Sequence, residues 1–292
     1  MIDDVPLIVI VGPTASGKSS LAMEVARQHN GEIICADSRT VYKGMDIGTA
    51  KPTPEDRAEI THWGLDLIEP GERFTAADFK AYAMEKIQDI RGRGRVPILV
   101  GGTGLYVDAV VFDYTFGTDI DVNLRSKLQH MTIDELQIYC TNNNILLPGD
   151  KENKRYVIRA IETYATNPKR RTTPIENCII VGITTDKQVL QARIHERTEH
   201  IFENGVVQEA ISLGKKYGWA IEAMTSNIYR LVWKYQAGDI AEDELRALNN
   251  TSDWQLAKRQ LTWLKRNPFI HWTGREDAYE YIASSLAKIR QS

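Results

Sequence analysis

The chain has 292 residues, of which 42% are hydrophobic and 26% are charged, and its formal net charge is −3. This composition is typical of a soluble globular protein with a sizeable core. No apolar run approaches the roughly 20 residues that a membrane-spanning helix needs, and the acidic start lacks the features of a signal peptide. We therefore expect a cytoplasmic protein that does not enter a membrane.

The first predicted element is a buried strand that leads into a phosphate-binding loop. Residues 7–12 read LIVIVG, a continuous apolar run typical of a strand covered on both faces. The next residues match the pattern G-x-x-x-x-G-K-[ST], which holds phosphate oxygens with backbone N–H groups, a lysine ammonium and a hydroxyl that contacts Mg²⁺. The residues expected to bind phosphate are Gly12, Pro13, Thr14, Ala15, Ser16, Gly17, Lys18 and Ser19, with Ser19 as the contact to Mg²⁺.

Strands and helices then alternate through the first third of the chain. This alternation predicts an α/β fold with a doubly wound parallel sheet, in which ligand-binding loops follow the carboxyl ends of the strands. The predicted elements are a helix at about 19–28, a strand at 32–36, a further strand at 65–68, a helix at 75–94 with Thr75 as its N-cap, and a strand at 95–102.

From about residue 119 the pattern becomes helical, and a strand returns at 178–184 before a mostly helical C-terminal part. We therefore interpret residues 117–175 as a helical insertion domain. Residues 1–116 and 176–292 then form one discontinuous core domain. The three cysteines are far apart and form no Cys-x-x-Cys pair, so neither a zinc site nor a disulfide framework is indicated.

Two further stretches are expected to open into the same crevice as the phosphate-binding loop. Asp37 follows the second strand and begins the segment 37–52, which is rich in hydroxyls and glycines but has no helix or strand period. Residues 101–106 read GGTGLY and make a glycine-rich turn after another strand. From local chemistry alone, Asp37 is a turn or capping residue, a base, or a holder of a cation.

Basic residues cluster at 151–159, 168–171 and 257–266, although the net charge alone argues mildly against a polyanionic partner. Each cluster taken alone is typical of a solvated helix face. The loop by itself also fits an ATP-dependent kinase, for which Asp37 would have to hold the magnesium ion.

Four motifs together resemble one family. GPTASGKS, ADSRTVYKGMDIGTAKP, VGGTGLY and LAKRQLTWLKR occur in this order and resemble the tRNA dimethylallyltransferases, also called tRNA isopentenyltransferases, over nearly the whole chain. The resemblance implies transfer of a dimethylallyl group from dimethylallyl diphosphate to N6 of the adenine just 3′ of the tRNA anticodon. It also implies Mg²⁺ as cofactor and a monomeric enzyme.

The resemblance also implies roles for particular residues. Asp37 would accept the N6 proton, and Thr14 and Arg197 would contact the leaving diphosphate. Contacts to the anticodon stem-loop of tRNA are then expected from Asp37, Ser38, Arg39, Thr40, Thr103, Lys154, Arg155, Arg159, Lys258 and Arg259.

The chain departs from the family pattern at three places: Ile228 in place of a glycine, Asp253-Trp254 in place of Thr-Arg, and Tyr156 in place of an arginine. These changes leave the chemistry intact in our interpretation and alter contacts to tRNA, for example by letting Trp254 stack on a base. Two alternative functions stay open at this point. They are prenylation of free adenine nucleotides and, less well supported by the motifs, phosphorylation of a small metabolite with ATP.

Overall fold

The computed structural model describes residues 5–116, 121–164 and 169–291. Contacts divide the chain into two compact units, one made of Met1–Val111 with Pro174–Ser292 and the other of Phe112–Thr173. The start that we predict for the insertion, residue 117, falls in residues 117–120, which lie outside the described residues.

The first unit is built on a parallel sheet with the strand order β3-β2-β4-β1-β5-β6. Its strands are β1 (Leu7–Val11), β2 (Gly31–Cys35), β3 (His62–Trp63), β4 (Val96–Gly101), β5 (Cys178–Ile183) and β6 (His271–Thr273). At the centre, Ile8 of β1 pairs in register with Ile98 of β4 and Ile179 of β5. Since the chain order reverses on either side of β1, the fold is the predicted doubly wound α/β type.

Two edge strands differ from the prediction. The stretch 65–68 is not a strand, although Ile68 makes an isolated parallel bridge with Tyr42, and β3 lies at His62–Trp63 instead. The sequence pattern does not predict β6, whose three residues are too few and too polar to produce an apolar strand pattern. Both errors concern short strands that owe their conformation to a neighbouring strand.

Helices make up most of the remaining described structure. They are α1 (Lys18–His29), α2 (Pro54–Glu59), α3 (Ala76–Gly92), α4 (Gly104–Val111), α5 (Val122–His130), α6 (Ile133–Asn142), α7 (Lys154–Tyr164), α8 (Lys187–Glu203), α9 (Val206–Tyr217), α10 (Asn227–Gln236), α11 (Glu242–Leu264) and α12 (Arg275–Gln291), with a 3-10 turn at Ala223–Thr225. Thr75 is the N-cap of α3 as predicted, and it forms a capping box with Asp78. In the part of the chain that is described, no helix combines the length and the apolar character that a bilayer crossing requires.

The segment 43–51 has no regular structure, yet charged side chains fix it firmly to the helices behind it. The Glu209 carboxylate of α9 accepts hydrogen bonds from the backbone N–H groups of Asp46, Ile47 and Gly48 at 2.7–2.9 Å. It also accepts one from the Tyr229 hydroxyl of α10 at 2.7 Å. One half-buried carboxylate thus replaces the strand or helix partners that these N–H groups lack.

Lys51 holds the other end of this segment. Its side chain is only 1% exposed, and its ammonium donates to the Tyr42 carbonyl at 2.6 Å and to the carboxylates of Asp46 and Asp66 at 2.7 and 2.5 Å. These acceptors satisfy all three N–H groups of the buried ammonium, which compensates for the cost of removing it from water.

The second unit contains α5, α6 and α7 around a small core of its own. Leu128, Leu136, Cys140 and Val157 are fully buried there. The Glu162 side chain of α7, which is 3% exposed, forms an ion pair with Arg125 of α5 at 2.9 Å. A helical unit at this place in the chain agrees with the polar, helix-period pattern of its sequence.

The Glu209 contacts lead to a stability prediction. Glu209→Ala removes four hydrogen bonds and leaves three backbone N–H groups without an acceptor, so we expect the free energy of unfolding to fall by about 3 kcal/mol. Urea unfolding followed by tryptophan fluorescence measures this change. Glu203→Ala, at an exposed position of α8, is the control and should change stability by less than about 0.5 kcal/mol. Equal stability of the two variants would contradict the anchoring role of Glu209.

Candidate active site

A cavity of about 480 Å³ opens at the carboxyl ends of β1, β2 and β4 in the first unit. This is the edge of an open α/β sheet at which ligands usually bind. Three groups of predicted residues line it: Thr14, Lys18 and Ser19 from the phosphate-binding loop, Asp37, Ser38, Arg39 and Thr40 after β2, and Thr103, Arg197 and Arg259 from other elements. The structure therefore brings together most of the predicted site residues, while their roles stay predictions.

The loop between β1 and α1 has the backbone geometry that holds an anion. Gly17 precedes α1 with a φ of +89°, a left-handed conformation that L side chains rarely adopt. The first N–H groups of a helix have no partner within it, and the helix dipole adds positive potential at this end of α1, whose first residues, Lys18 and Ser19, line the cavity. The Ser16 hydroxyl is buried in this loop and has no hydrogen-bond partner among the described residues.

Arg197 of α8 lies against the same loop. One of its terminal nitrogens donates to the Thr14 hydroxyl at 2.5 Å, and the other donates to the Thr49 carbonyl at 3.4 Å. Its Nε is buried and has no partner within the described part of the chain. The Thr14 N–H is held by Gln260 Oε1 of α11 at 2.7 Å. The loop, α8 and α11 thus meet at Thr14.

Lys18 is a cation in an environment that disfavours its charge. Burial and, second, the nearby positive charge of Arg197 together lower the pKa of Lys18 to about 8, against the opposing effect of Asp37. The Lys18 ammonium donates to the Pro13 carbonyl at 3.1 Å. Two cations and a helix N-terminus therefore surround one corner of the cavity, which we call the anion corner: residues 14–19 and Arg197. A phosphate group placed there would relieve their mutual repulsion.

Asp37 lies on the wall formed by the end of β2 and is positioned by its neighbours. Its carboxylate accepts a hydrogen bond from the Arg39 N–H at 2.8 Å, and its carbonyl accepts one from the Thr40 hydroxyl at 3.3 Å. The Thr103 hydroxyl accepts a hydrogen bond from the Ser38 N–H at 3.1 Å, which ties the two glycine-rich turns together. Asp37 thus projects from a rigid turn into the cavity.

Helix α11 supplies the wall that carries the motif LAKRQLTWLKR. Arg259 and Gln260 line the cavity, whereas the Lys258 ammonium lies 5.9 Å from the ring centre of Trp254. Trp254 is half-buried and packs beside Ala15 on the cluster of Leu190, Ile194 and Ala257. These contacts give the Trp254 ring a packing role within the protein, and stacking on a base stays a prediction.

The cavity wall contains a polar pair that the sequence pattern does not predict. The Asn227 amide of α10 donates to the Asp253 carboxylate of α11 at 3.0 Å, and both residues line the cavity together with Ile228. A pair separated by 26 positions gives no local signal; only the unusual residues at 228 and 253 hinted that this wall is special.

Three predicted tRNA contacts, Lys154, Arg155 and Arg159, lie on α7 of the second unit rather than in the cavity wall. Arg155 is exposed. Lys154 donates to the Gln129 carbonyl at 2.8 Å, and Arg159 forms an ion pair with Glu162 at 3.4 Å. Arg155 is thus the most accessible of the three for a partner.

The chain is similar to known proteins of one family over most of its length. Residues 40–267 match the family model described as IPP transferase. The chain is 36% identical, over 96% of both chains, to a protein of Acetivibrio thermocellus named tRNA dimethylallyltransferase. It is 37% identical, over 92% of this chain and 87% of the relative, to the protein of the same name from Staphylococcus epidermidis.

Solved structures give the same result. The tRNA isopentenylpyrophosphate transferase of Bacillus halodurans is similar over 98% of both chains, with a TM-score of 0.76 and 31% identity. A eukaryotic dimethylallyltransferase crystallised while acting on tRNA has a TM-score of 0.73 at 22% identity, which supports the fold.

The lowered pKa of Lys18 predicts pH-dependent binding of a diphosphate monoester. The ligand prefers the ammonium form, which predominates below pH 8, so affinity should stay level up to about pH 7.5 and fall roughly tenfold by pH 9. The ligand is already fully ionised in this range, because the last phosphate ionisation occurs near pH 6.

Isothermal titration calorimetry measures the dissociation constant at each pH. Lys18→Met is the matched control: it should bind more weakly at pH 7 but lose the pH dependence between 7.5 and 9. The same slope in both proteins would show that another group titrates.

Proposed function

Because the chain belongs to the IPP transferase family, we propose that it transfers a dimethylallyl group from dimethylallyl diphosphate to N6 of the adenine just 3′ of the anticodon in tRNA. The observation that carries this proposal is the arrangement of the cavity. The anion corner and the Asp37 carboxylate line one space of about 480 Å³, so a diphosphate and a group that loses a proton can meet there.

The anion corner and Asp37 have different roles in the reaction. Adenine N6 attacks C1 of the dimethylallyl group, a C–N bond forms, and the C1–O bond breaks with its electron pair leaving on the diphosphate. Asp37 accepts the proton from N6 as general base. Arg197, Thr14 and Lys18 contact the diphosphate oxygens, on which negative charge grows during the reaction, and so favour the transition state.

Mg²⁺ fits the anion corner as cofactor. Ser19, the second residue of α1, presents its hydroxyl to the cavity. The described residues contain no cluster of three or more His, Cys, Asp or Glu side chains that would hold a metal alone. Mg²⁺ suits such a site because it usually keeps several waters and binds through substrate phosphates. When bound, it would neutralise charge on the diphosphate.

The charge of the cavity supports tRNA as the acceptor. Lys18, Arg39, Arg197, Arg230 and Arg259 line it, against Asp37 and Asp253 as the acidic lining residues. An excess of arginine in a space that also holds a diphosphate is suited to a second phosphate-rich substrate. Arg155 on α7 of the second unit would add a contact to the tRNA backbone. A monomeric enzyme in the cytoplasm, where tRNA is available, completes the proposal.

The alternative functions explain less of the structure. A kinase would use the anion corner, but it gives no role to the Asp37 carboxylate unless it holds the metal. Prenylation of a free adenine nucleotide would use both the anion corner and Asp37. It gives the arginines beyond the anion corner no RNA backbone to bind. We therefore keep free nucleotides only as a competing acceptor in the assay.

The test supplies purified protein with Mg²⁺, dimethylallyl diphosphate and one acceptor at a time: unmodified tRNA, AMP or ATP. Nuclease digestion and mass spectrometry should show N6-dimethylallyladenosine from the tRNA reaction. Product from AMP but not from tRNA would replace tRNA by a free nucleotide. Hydrolysis of ATP without any prenyl transfer would contradict the proposal.

Asp37→Asn tests the general base. Loss of the carboxylate should lower kcat for tRNA prenylation by about 10²–10⁴-fold, the usual contribution of such a base. Binding of dimethylallyl diphosphate, measured by calorimetry, should change little. Asp239→Asn, at an exposed position after α10, is the control and should keep full activity. Full activity in Asp37→Asn would remove this residue as the base.

A further inference from the structure

A surface of the first unit combines an exposed tryptophan ring and a half-buried one with several lysines. The Trp233 side chain of α10 is 50% exposed, and its ring plane lies within 12° of that of Trp219, with the ring centres 6.4 Å apart. Neither residue was singled out by the sequence or has a role in the proposed chemistry. We call Trp219, Trp233, Lys215, Lys216 and Lys234 the tryptophan surface.

The tryptophan surface is continuous with the mouth of the cavity. Arg230 lines the cavity, and Trp233 and Lys234 follow it on α10 by three and four positions. Residues at these spacings lie on the same side of a helix. Tyr229 and Val232 of α10 are fully buried, so the exposed side of this helix runs from Arg230 at the cavity to Trp233, beside which Trp219 lies.

The Trp219 ring packs closely against α9. Gly214 of α9 has no side chain, and a Cβ at this position would overlap the Trp219 ring. The Trp219 ring therefore packs directly on the backbone of α9, and Trp233 lies beside it. A pre-ordered ring loses little entropy when a planar ligand stacks on it.

The local charge selects the kind of ligand. The whole chain carries a net charge of −3, yet Lys215, Lys216, Arg230 and Lys234 outnumber the carboxylates near them, which are Glu222, Asp239 and the Glu69 that accepts a hydrogen bond from the Tyr217 hydroxyl. Aromatic rings among cations are the usual means by which proteins bind unpaired nucleotides, because every base has a face that can stack and a phosphate that attracts cations.

We propose that the tryptophan surface binds unpaired nucleotides of the tRNA substrate that flank the target adenine, with a nucleobase stacked on Trp233 and phosphates near the lysines. This inference rests on the proposed function, since it takes the RNA in the cavity and the RNA on the surface to be one molecule. The surface serves to position the substrate and takes no part in the bond changes.

The test compares Trp233 variants in binding and in turnover. Trp233→Ala should weaken tRNA binding, measured by fluorescence anisotropy at fixed salt, by about tenfold. KM for tRNA should rise by a similar factor, while kcat and KM for dimethylallyl diphosphate stay close to those of the unmodified protein. Trp233→Phe, which keeps an aromatic ring, should bind tRNA nearly as well as the original protein. Trp233→Leu, which is apolar but has no ring, should bind as weakly as Trp233→Ala.

Two controls separate stacking from general damage. Phe269→Ala removes an aromatic side chain that is 43% exposed elsewhere on the first unit, and it should leave tRNA binding unchanged. Replacing Lys215 and Lys216 together by Gln should weaken binding and reduce its salt dependence. This second variant tests the surface even if changes at Trp233 disturb the fold.

Each outcome has a distinct meaning. If the unmodified protein prenylates tRNA and all the surface variants bind tRNA equally well, the surface proposal is wrong and the proposed function stands. If the unmodified protein prenylates no tRNA, the proposed function is wrong. Weaker tRNA binding by Trp233→Ala would in that case still support an RNA surface. Equal binding by Trp233→Leu and Trp233→Phe would rule out stacking.

Discussion

The repulsion between Lys18 and Arg197 is the constraint on which the site depends. Both cations lie at the N-terminus of α1, where the helix dipole is also positive, and burial together with Arg197 lowers the pKa of Lys18. Among the described residues no carboxylate forms an ion pair with Arg197; its hydrogen bonds go to Thr14 and Thr49. The positive charge of these side chains is thus available to a ligand. An anionic ligand would offset the repulsion between the two cations.

The segment 43–51 lies beside this site and is fixed by charged side chains that do not line the cavity. Glu209 and Lys51 form their hydrogen bonds within or behind this segment. Thr49, at the end of the same segment, then offers its carbonyl to Arg197. The order of an apparently irregular segment therefore determines where Arg197 points.

Local pattern was sufficient to predict the elements that build the phosphate-binding loop. The apolar run of β1, the glycine at position 17 and the start of α1 are neighbours in sequence, and each has a strong local preference. The partners of this loop could not be predicted, because Gln260 reaches Thr14 across 246 positions. Glu209 likewise gives no signal in its own helix, since its function depends on the N–H groups of a segment that the fold brings to it.

The unusual residues of α10 and α11 form one connected feature rather than separate changes. Ile228 fills space beside Gly48, where a Cβ would already come within 3.0 Å of the Ile228 side chain. One position before it, Asn227 reaches across to Asp253. The next residue of α11, Trp254, packs on the cluster that also supports Ala15 of the phosphate-binding loop. Because these contacts link α10 and α11 to the loop, a change at one of these positions alters the space that the others leave. The residues at 228, 253 and 254, which we expect to differ from the family pattern, thus form one connected set of contacts around the cavity, whereas Tyr156 belongs to α7 of the second unit.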